Sequence, residues 1–273
     1  MKILFISDVV AQAGSDLALD LVPKMRNQWK VDFVILNAEN AHMGKGVTTQ
    51  LAKKFQAAGV DCITSGNHIW EPKKRDVLID LAGYVLRPIN YPKGNIGVGS
   101  NIFKIGDHKI AVINAQGLAF MFSIDNPFPI LEKEITKLRK ETNLVFLDFH
   151  AEATAEKQAI GWYFDGQISA MVGTHTHVQT ADERIFPNGT GFITDAGMTG
   201  PFESVIGMIK EQAIERFIKQ TPVYYRHAMG DPRLNGVLFD INAKTGKCEK
   251  IARLNLNIVE YAAMVDKKID PFK

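Results

Sequence analysis

The chain has 273 residues, 46% apolar and 23% charged, a balance ordinary for a soluble globular protein with one large core or two modest ones. Its net charge of +2, from 32 Lys and Arg against 30 Asp and Glu, gives no broad basic surface for a long polyanion, though one local site could take a single nucleotide or a short RNA. Cys62 and Cys248 are too few for a disulfide framework, the N-terminal apolar run is too short for a signal peptide, and no stretch reaches the roughly 20 apolar residues of a membrane helix, so a cytoplasmic protein away from the membrane is expected.

The first half alternates strand and helix. Ile3–Ser7 is an apolar run ending in Asp8. A helix over Gly14–Trp29 carries Leu17, Leu21 and Met25 at helical spacing, with Pro23 bending or restarting it. Phe33–Ala38 runs into Glu39 and Asn40. Thr48–Ala58 reads as a helix with a Thr N-cap that stops at Gly59. Cys62–Gly66 runs into Asn67 and His68, and another helix is predicted over Lys73–Leu81, closed by Gly83. Its cluster Lys73-Lys74-Arg75 reads as a solvated helix face.

The middle changes character. Ser100–Lys104 and Ile110–Asn114 flank a turn at Gly106-Asp107 and read as a hairpin. A helix over Asn126–Arg139 has Pro127 near its start. Leu144–Phe149 runs into His150, a helix covers Ala153–Gly161, and Ile168–Thr174 runs into His175 and His177. Met208–Lys219 is a helix, and Val237–Ile241 with Glu249–Leu256 reads as a closing antiparallel hairpin. Strand–helix alternation predicts an α/β fold with mainly parallel strands, and the whole pattern predicts one domain, 1–273, with two packed sheets.

Buried strands of a parallel sheet read as continuous apolar runs, and ligands bind beyond their carboxyl ends. Five such runs here end in a carboxylate, an amide or an imidazole. That donor set, without a thiolate, suits Mn, Fe, Zn, Ni or Co. Asp8, Glu39, Asn40, Asn67, His150, His175 and His177 are too many for one tetrahedral ion and suit two ions about 3.5–4 Å apart. Glu39 is the expected bridge. Two divalent ions bring about +4, Asp8 and Glu39 return about −2, and a bridging hydroxide leaves about +1, a surplus that favours an anionic phosphate ester. His68 is not needed as a ligand and suits the job of proton donor to the leaving group.

Each residue also has a plain structural reading. Asp8 could cap a helix, Asn67 could make a turn, and His150 could be a hydrogen-bonded core histidine. Their recurrence at five strand ends favours the ligand role. Gly44-Lys45-Gly46 lacks P-loop spacing and reads as a flexible loop beside the site. His42 is near the site in sequence alone, His108 sits in a hairpin turn, His227 reads as structural, and Thr199-Gly200 is a weak candidate for shaping a pocket. Phe120 and Phe122 could form a lid, a base-stacking surface or an oligomer contact, with a core role as the default.

Gly66-Asn67-His68, His150 and Gly173-Thr174-His175-Thr176-His177 resemble the signature of calcineurin-type metallophosphoesterases. The chain departs from that signature twice. Asp8-Val9-Val10 lacks the usual first histidine, and Ala38-Glu39-Asn40 has Glu where the bridging Asp would be. Both departures are shared by YmdB-like phosphodiesterases. The stretches Asp148–Thr154, His175–Asp182 and Asp195–Pro201 are similar to that branch as well. The resemblance spans residues 1–257 and implies a four-layer α-β-β-α sandwich. It also implies Asp8, Glu39, Asn40 and His177 on one metal, with Asn40 replacing the missing histidine, and Glu39, Asn67, His150 and His175 on the other. His68 would be the general acid. The implied activity is phosphodiester hydrolysis, particularly of 2′,3′-cyclic nucleotides, by attack of a metal-bridging hydroxide with iron or manganese bound. A phosphomonoesterase and a metal-held nucleotide or RNA sensor are the rival readings. A homo-oligomer is compatible with all three.

Overall fold

The computed structural model describes residues 1–71 and 76–272. The basic cluster Lys73-Lys74-Arg75 and the predicted start of its helix lie outside the described residues. Two six-stranded mixed sheets form the centre. The first holds β1 (Lys2–Ile6), β2 (Phe33–Asn37), β3 (Cys62–Thr64), β10 (Gly200–Pro201), β11 (Pro232–Ile241) and β12 (Cys248–Leu256). The second runs in the order β4 (Ser100–Ile105), β5 (His108–Gln116), β6 (Val145–His150), β7 (Ala170–Thr174), β9 (Gly191–Ile193), β8 (Arg184–Ile185).

The apolar runs lack polar alternation because both faces of each sheet are covered. In β1, Leu4 and Ile6 face a helix layer while Ile3 and Phe5 face the other sheet. The middle layer joins Phe5, Phe33 and Phe239 of the first sheet to Val112, Phe146 and Val172 of the second, and Phe146 packs on Phe5 and Phe239 at ring-centre distances of 5.7 and 5.6 Å. Helices α1 (Ala11–Trp29) and α2 (Thr49–Ala57) cover the first sheet through Leu17, Leu21, Met25, Ala52 and Phe55. Helices α4 (Pro127–Leu138) and α5 (Thr154–Tyr163) cover the second through Leu131, Ile135, Ile160 and Phe164. The result is the expected α-β-β-α sandwich.

Local chemistry sets the ends. Thr48 accepts the Leu51 amide at the start of α2, and Asn126 accepts the Phe128 amide before Pro127 opens α4. Pro23 neither breaks nor restarts α1, which runs through it for 19 residues. An internal proline costs about 3 kcal/mol. Burial of the neighbouring Leu21, Val22 and Met25 offsets this at about 1.5–3 kcal/mol each. The short helix α3 (Val77–Asp80) follows β3, α6 (Lys210–Lys219) lies between β10 and β11, and α7 (Ile258–Asp266) closes the chain. The closing hairpin, β11 and β12, joins the first sheet because β11 pairs antiparallel with β1, from Lys2 opposite Asp240 to Ile6 opposite Gly236.

One buried carboxylate ties the sheets together. Asp148, on β6, accepts from Asn37 Nδ2 of β2 at 2.8 Å, Thr64 Oγ1 of β3 at 2.5 Å and Thr174 Oγ1 of β7 at 2.8 Å. Burial pushes its carboxyl up to about 6, against the pull of these three donors. Asp148→Leu keeps the bulk and leaves three buried donors without an acceptor. It should lower the unfolding free energy by about 3–5 kcal/mol in a denaturant titration. A loss below ~1 kcal/mol would show that the apolar layer alone holds the sheets.

Candidate metal centre

The parallel strands of both sheets end at one edge of the sandwich. Asp8 follows β1, Glu39 and Asn40 follow β2, and Asn67 and His68 open the 3-10 turn after β3. His150 is the last residue of β6, and His175 and His177 follow β7. All eight residues therefore arrive at the same edge, and most are in direct contact.

Asp8 is not a helix cap. The N-cap of α1 is Val10, and Asp8 Oδ2 accepts the His175 amide at 2.7 Å, joining the two sheets. Thr199, considered as a pocket residue, instead buttresses Asp8. Its amide donates to Ser7 O and Asp8 O, and its hydroxyl donates to Asn235 O. Glu39 is fully buried and accepts the backbone amides of Gly66 and His68. Its Oε1 also lies 3.1 Å from His68 Nδ1 and 3.7 Å from His150 Nε2. Gly66 is required here, since a Cβ would fall on the His150 ring. Asn40 Oδ1 is 3.0 Å from His68 Nδ1, and Asn40 Nδ2 is 3.0 Å from His177 Nε2. For its oxygen to share a cation with His177, this amide has to turn over.

The outer hydrogen bonds assign the imidazole tautomers. The single Thr174 hydroxyl proton goes to Asp148, so Thr174 Oγ1 accepts from His150 Nδ1–H at 3.0 Å. The lone pair of His150 is then on Nε2. Glu152 accepts from His175 Nε2–H at 3.1 Å, which leaves the lone pair of His175 on Nδ1. His177 donates Nδ1–H to Ile206 O at 2.9 Å and keeps its lone pair on Nε2. Burial holds all three rings toward the neutral form, which is the form a metal binds.

These assignments bring His150 Nε2 and His175 Nδ1 within 3.1 Å with no proton between them, and Glu39 Oε1 faces the same spot. Such a meeting of electron-rich atoms is repulsive unless a cation sits among them. Among the described residues, Asp8 Oδ1 and Asn67 Oδ1 are buried without a hydrogen-bond partner, as oxygens reserved for a cation would be. Burial, then the negative charges of Asp195, Asp148 and Glu39, push the Asp8 carboxyl well up, and a positive ion would relieve that repulsion. Among the described residues, no three His, Cys, Asp or Glu side chains close on one point as a finished cage. The donors meet in pairs, with amide oxygens among them, and their chemistry fits divalent metal.

The backbone is strained at the same place. Asp8, His175 and His177 have φ of 21°, 103° and 65°, a region that non-glycine residues seldom occupy. Sequence reading missed what holds His175 and His177 there. Lys157 and Asp195 form a fully buried ion pair at 2.6 Å, and Asp195 Oδ2 accepts both the Thr176 amide and its hydroxyl. Asp195 opens one of the quoted motifs, but a lysine at the middle of a helix gives no such signal. Sequence reading also assigned no role to Asp148 or Glu152.

The remaining candidates fall elsewhere. Lys45 Nζ lies 3.6 Å from Glu71. His42 and His227 line a separate cavity of about 430 Å³ with Ala11, Gln12 and Thr48. Phe120 and Phe122 are not core residues: they are 92% and 79% exposed, and they line a cavity with Asn67 and His175.

Comparison with known proteins gives the family of the chain. A family model described as "YmdB-like protein" matches residues 4–254. A 2′,3′-cyclic-nucleotide 2′-phosphodiesterase from Bacillus subtilis (strain 168) is 46% identical over 257 residues, covering 94% of this chain and 97% of that protein. A crystal structure of a hypothetical protein from Thermus thermophilus has a TM-score of 0.88 at 36% identity and covers 94% of this chain and 99% of its own. A crystal structure of a novel phosphatase from Mycoplasma pneumoniae has a TM-score of 0.88 at 36% identity, covering 94% of this chain and 93% of its own. The architecture is that of the calcineurin-like α/β sandwich. With residues 4–254 matched by the family model and a 46% identical relative spanning 94% of its length, the chain belongs to the YmdB-like protein family.

Proposed function

We propose that the chain is a metal-dependent phosphodiesterase, acting as one domain on small phosphodiesters such as 2′,3′-cyclic nucleotides. The observation that carries this reading is the 3.1 Å approach of His150 Nε2 and His175 Nδ1 beside Glu39, both nitrogens being assigned lone pairs by their outer hydrogen bonds. The 46% identical Bacillus subtilis phosphodiesterase supports the substrate class.

Asp8, Glu39, Asn40 and His177 would hold one divalent ion, and Glu39, Asn67, His150 and His175 the other, with iron or manganese the favoured metals. Bound ions supply a more acidic water and neutralise charge developing on the phosphoryl oxygens. The protein's own part is positional. Glu39, the proposed bridge, is tied to the Gly66 and His68 amides, with Oε1 3.7 Å from His150 Nε2. His68 is one-third exposed, and its Nδ1 lies against Glu39 and Asn40, so Nε2 is the atom left to pass a proton to the departing oxygen. The buried, unpaired Cys62 and Cys248 fit a reducing cytoplasm. Phosphomonoester hydrolysis is the second reading, supported by the phosphatase name of the Mycoplasma pneumoniae relative.

Glu39→Gln should nearly abolish cleavage of 2′,3′-cyclic AMP, and near wild-type turnover with full metal content would refute the bridge. His68→Ala should lose about 10²–10⁴-fold in rate while keeping both metals. Loss of metal from that variant would make His68 a ligand instead. Thr174→Val keeps the shape but frees His150 Nδ1–H from its acceptor. Metal affinity, measured by competition with a chelating dye, should fall about 10–100-fold. An unchanged affinity would mean that Thr174 does not set the tautomer.

A further inference from the structure

The turn after β5 holds two phenylalanines out of the core beside the metal-centre residues. Phe120 is 92% exposed and Phe122 79% exposed, although an exposed aromatic ring forfeits the burial that usually stabilises it. The turn is anchored. Glu156 accepts the amides of Leu118 and Ala119 at 2.8 and 3.2 Å, and Asn90 exchanges hydrogen bonds with the backbone of Asp125 at 3.2 and 3.0 Å. Phe120 itself is held at φ 62°, a conformation an aromatic residue rarely adopts. Fixed contacts at both ends and strain at the tip mark a shaped surface.

Phe120, Met121 and Phe122 line a cavity of about 340 Å³ together with Asn67 and His175 among the described residues. That volume lies within the range of small-ligand sites, about 300–1,000 Å³. The walls from the turn are apolar and aromatic, and the walls from the metal centre are polar. A ligand matching both is an amphipathic one, with a flat apolar ring at one end and an anion at the other. We infer that Phe120 and Phe122 form a stacking platform for the base of a nucleotide whose phosphate lies at the metal centre. This rests on the phosphodiesterase reading for where the phosphate sits. Stacking uses the π-face that every base presents, so the platform tolerates the identity of the base.

The test is calorimetric titration of the full-length, manganese-loaded protein with adenosine 3′-monophosphate and with ribose 3-phosphate, which lacks the base. The wild type should bind the nucleotide more tightly. The double variant Phe120→Ala/Phe122→Ala should reduce that preference by about 5- to 150-fold, equivalent to the ~1–3 kcal/mol of one base–aromatic stack. Phe122→Tyr should retain it. An equal preference in wild type and double variant overturns the platform, and so does a double variant that changes only self-association. Turnover of 2′,3′-cyclic AMP is read separately on the wild type. Base-dependent binding without turnover would remove the phosphodiesterase reading and leave the platform standing.

Discussion

The carboxylate of Asp148 lies where the two sheets meet, and the geometry of the site depends on it. Asn37 and Thr64 reach it from one sheet and Thr174 from the other. A charge in this position costs desolvation, visible in its raised pKa, and three donors offset that cost. Asp148 Oδ2 takes the donors of the first sheet, and its Oδ1 fixes the proton of Thr174 and through it the tautomer of His150. Fold and chemistry are thus coupled by one side chain. Sheets packed through an apolar layer can slide, because dispersion contacts are weakly directional. Hydrogen bonds to a buried carboxylate are directional, so the strand ends are held in register where their side chains have to converge.

The next shell repeats the pattern from other directions. Glu152 holds His175, Ile206 O holds His177, and the Lys157–Asp195 pair holds the strained loop between them. For His175 and His177 the outer partner takes the ring proton and leaves the lone pair facing inward. Such an arrangement is unfavourable in isolation, since electron-rich atoms face one another and two buried oxygens lack partners among the described residues. It becomes favourable when positive charge is placed among them. The positive φ at Asp8, His175 and His177 is a further cost borne at the same point.

Much of this was legible in the sequence, and the parts that were not have physical reasons. The apolar runs ending in Asp8, Glu39, Asn67, His150 and His175 marked the site because strand ends of a covered parallel sheet leave a clear signature. Asp148 was harder to read: within its strand it is one polar residue in an apolar run, and its partners lie on three other strands. Lys157 gave no signal, because a buried lysine on a helix looks like any surface lysine until its partner is known. Helix α7 was missed although Asn257 and Glu260 form a capping box, a pattern that can be read from sequence. Phe120 and Phe122 were assigned to the core by default, and only the fold shows that the turn after β5 carries them outward.

The outer hydrogen bonds aim His150 Nε2, His175 Nδ1 and His177 Nε2 at divalent metal, and everything proposed for the site follows from that. A crystal structure of the manganese-loaded protein, with anomalous scattering to locate the ions, tests it most directly. Two anomalous peaks are expected, one on His150 Nε2 and His175 Nδ1 and the other on His177 Nε2, with Glu39 between them. Ligation through His150 Nδ1, or anomalous density away from these nitrogens, would contradict it.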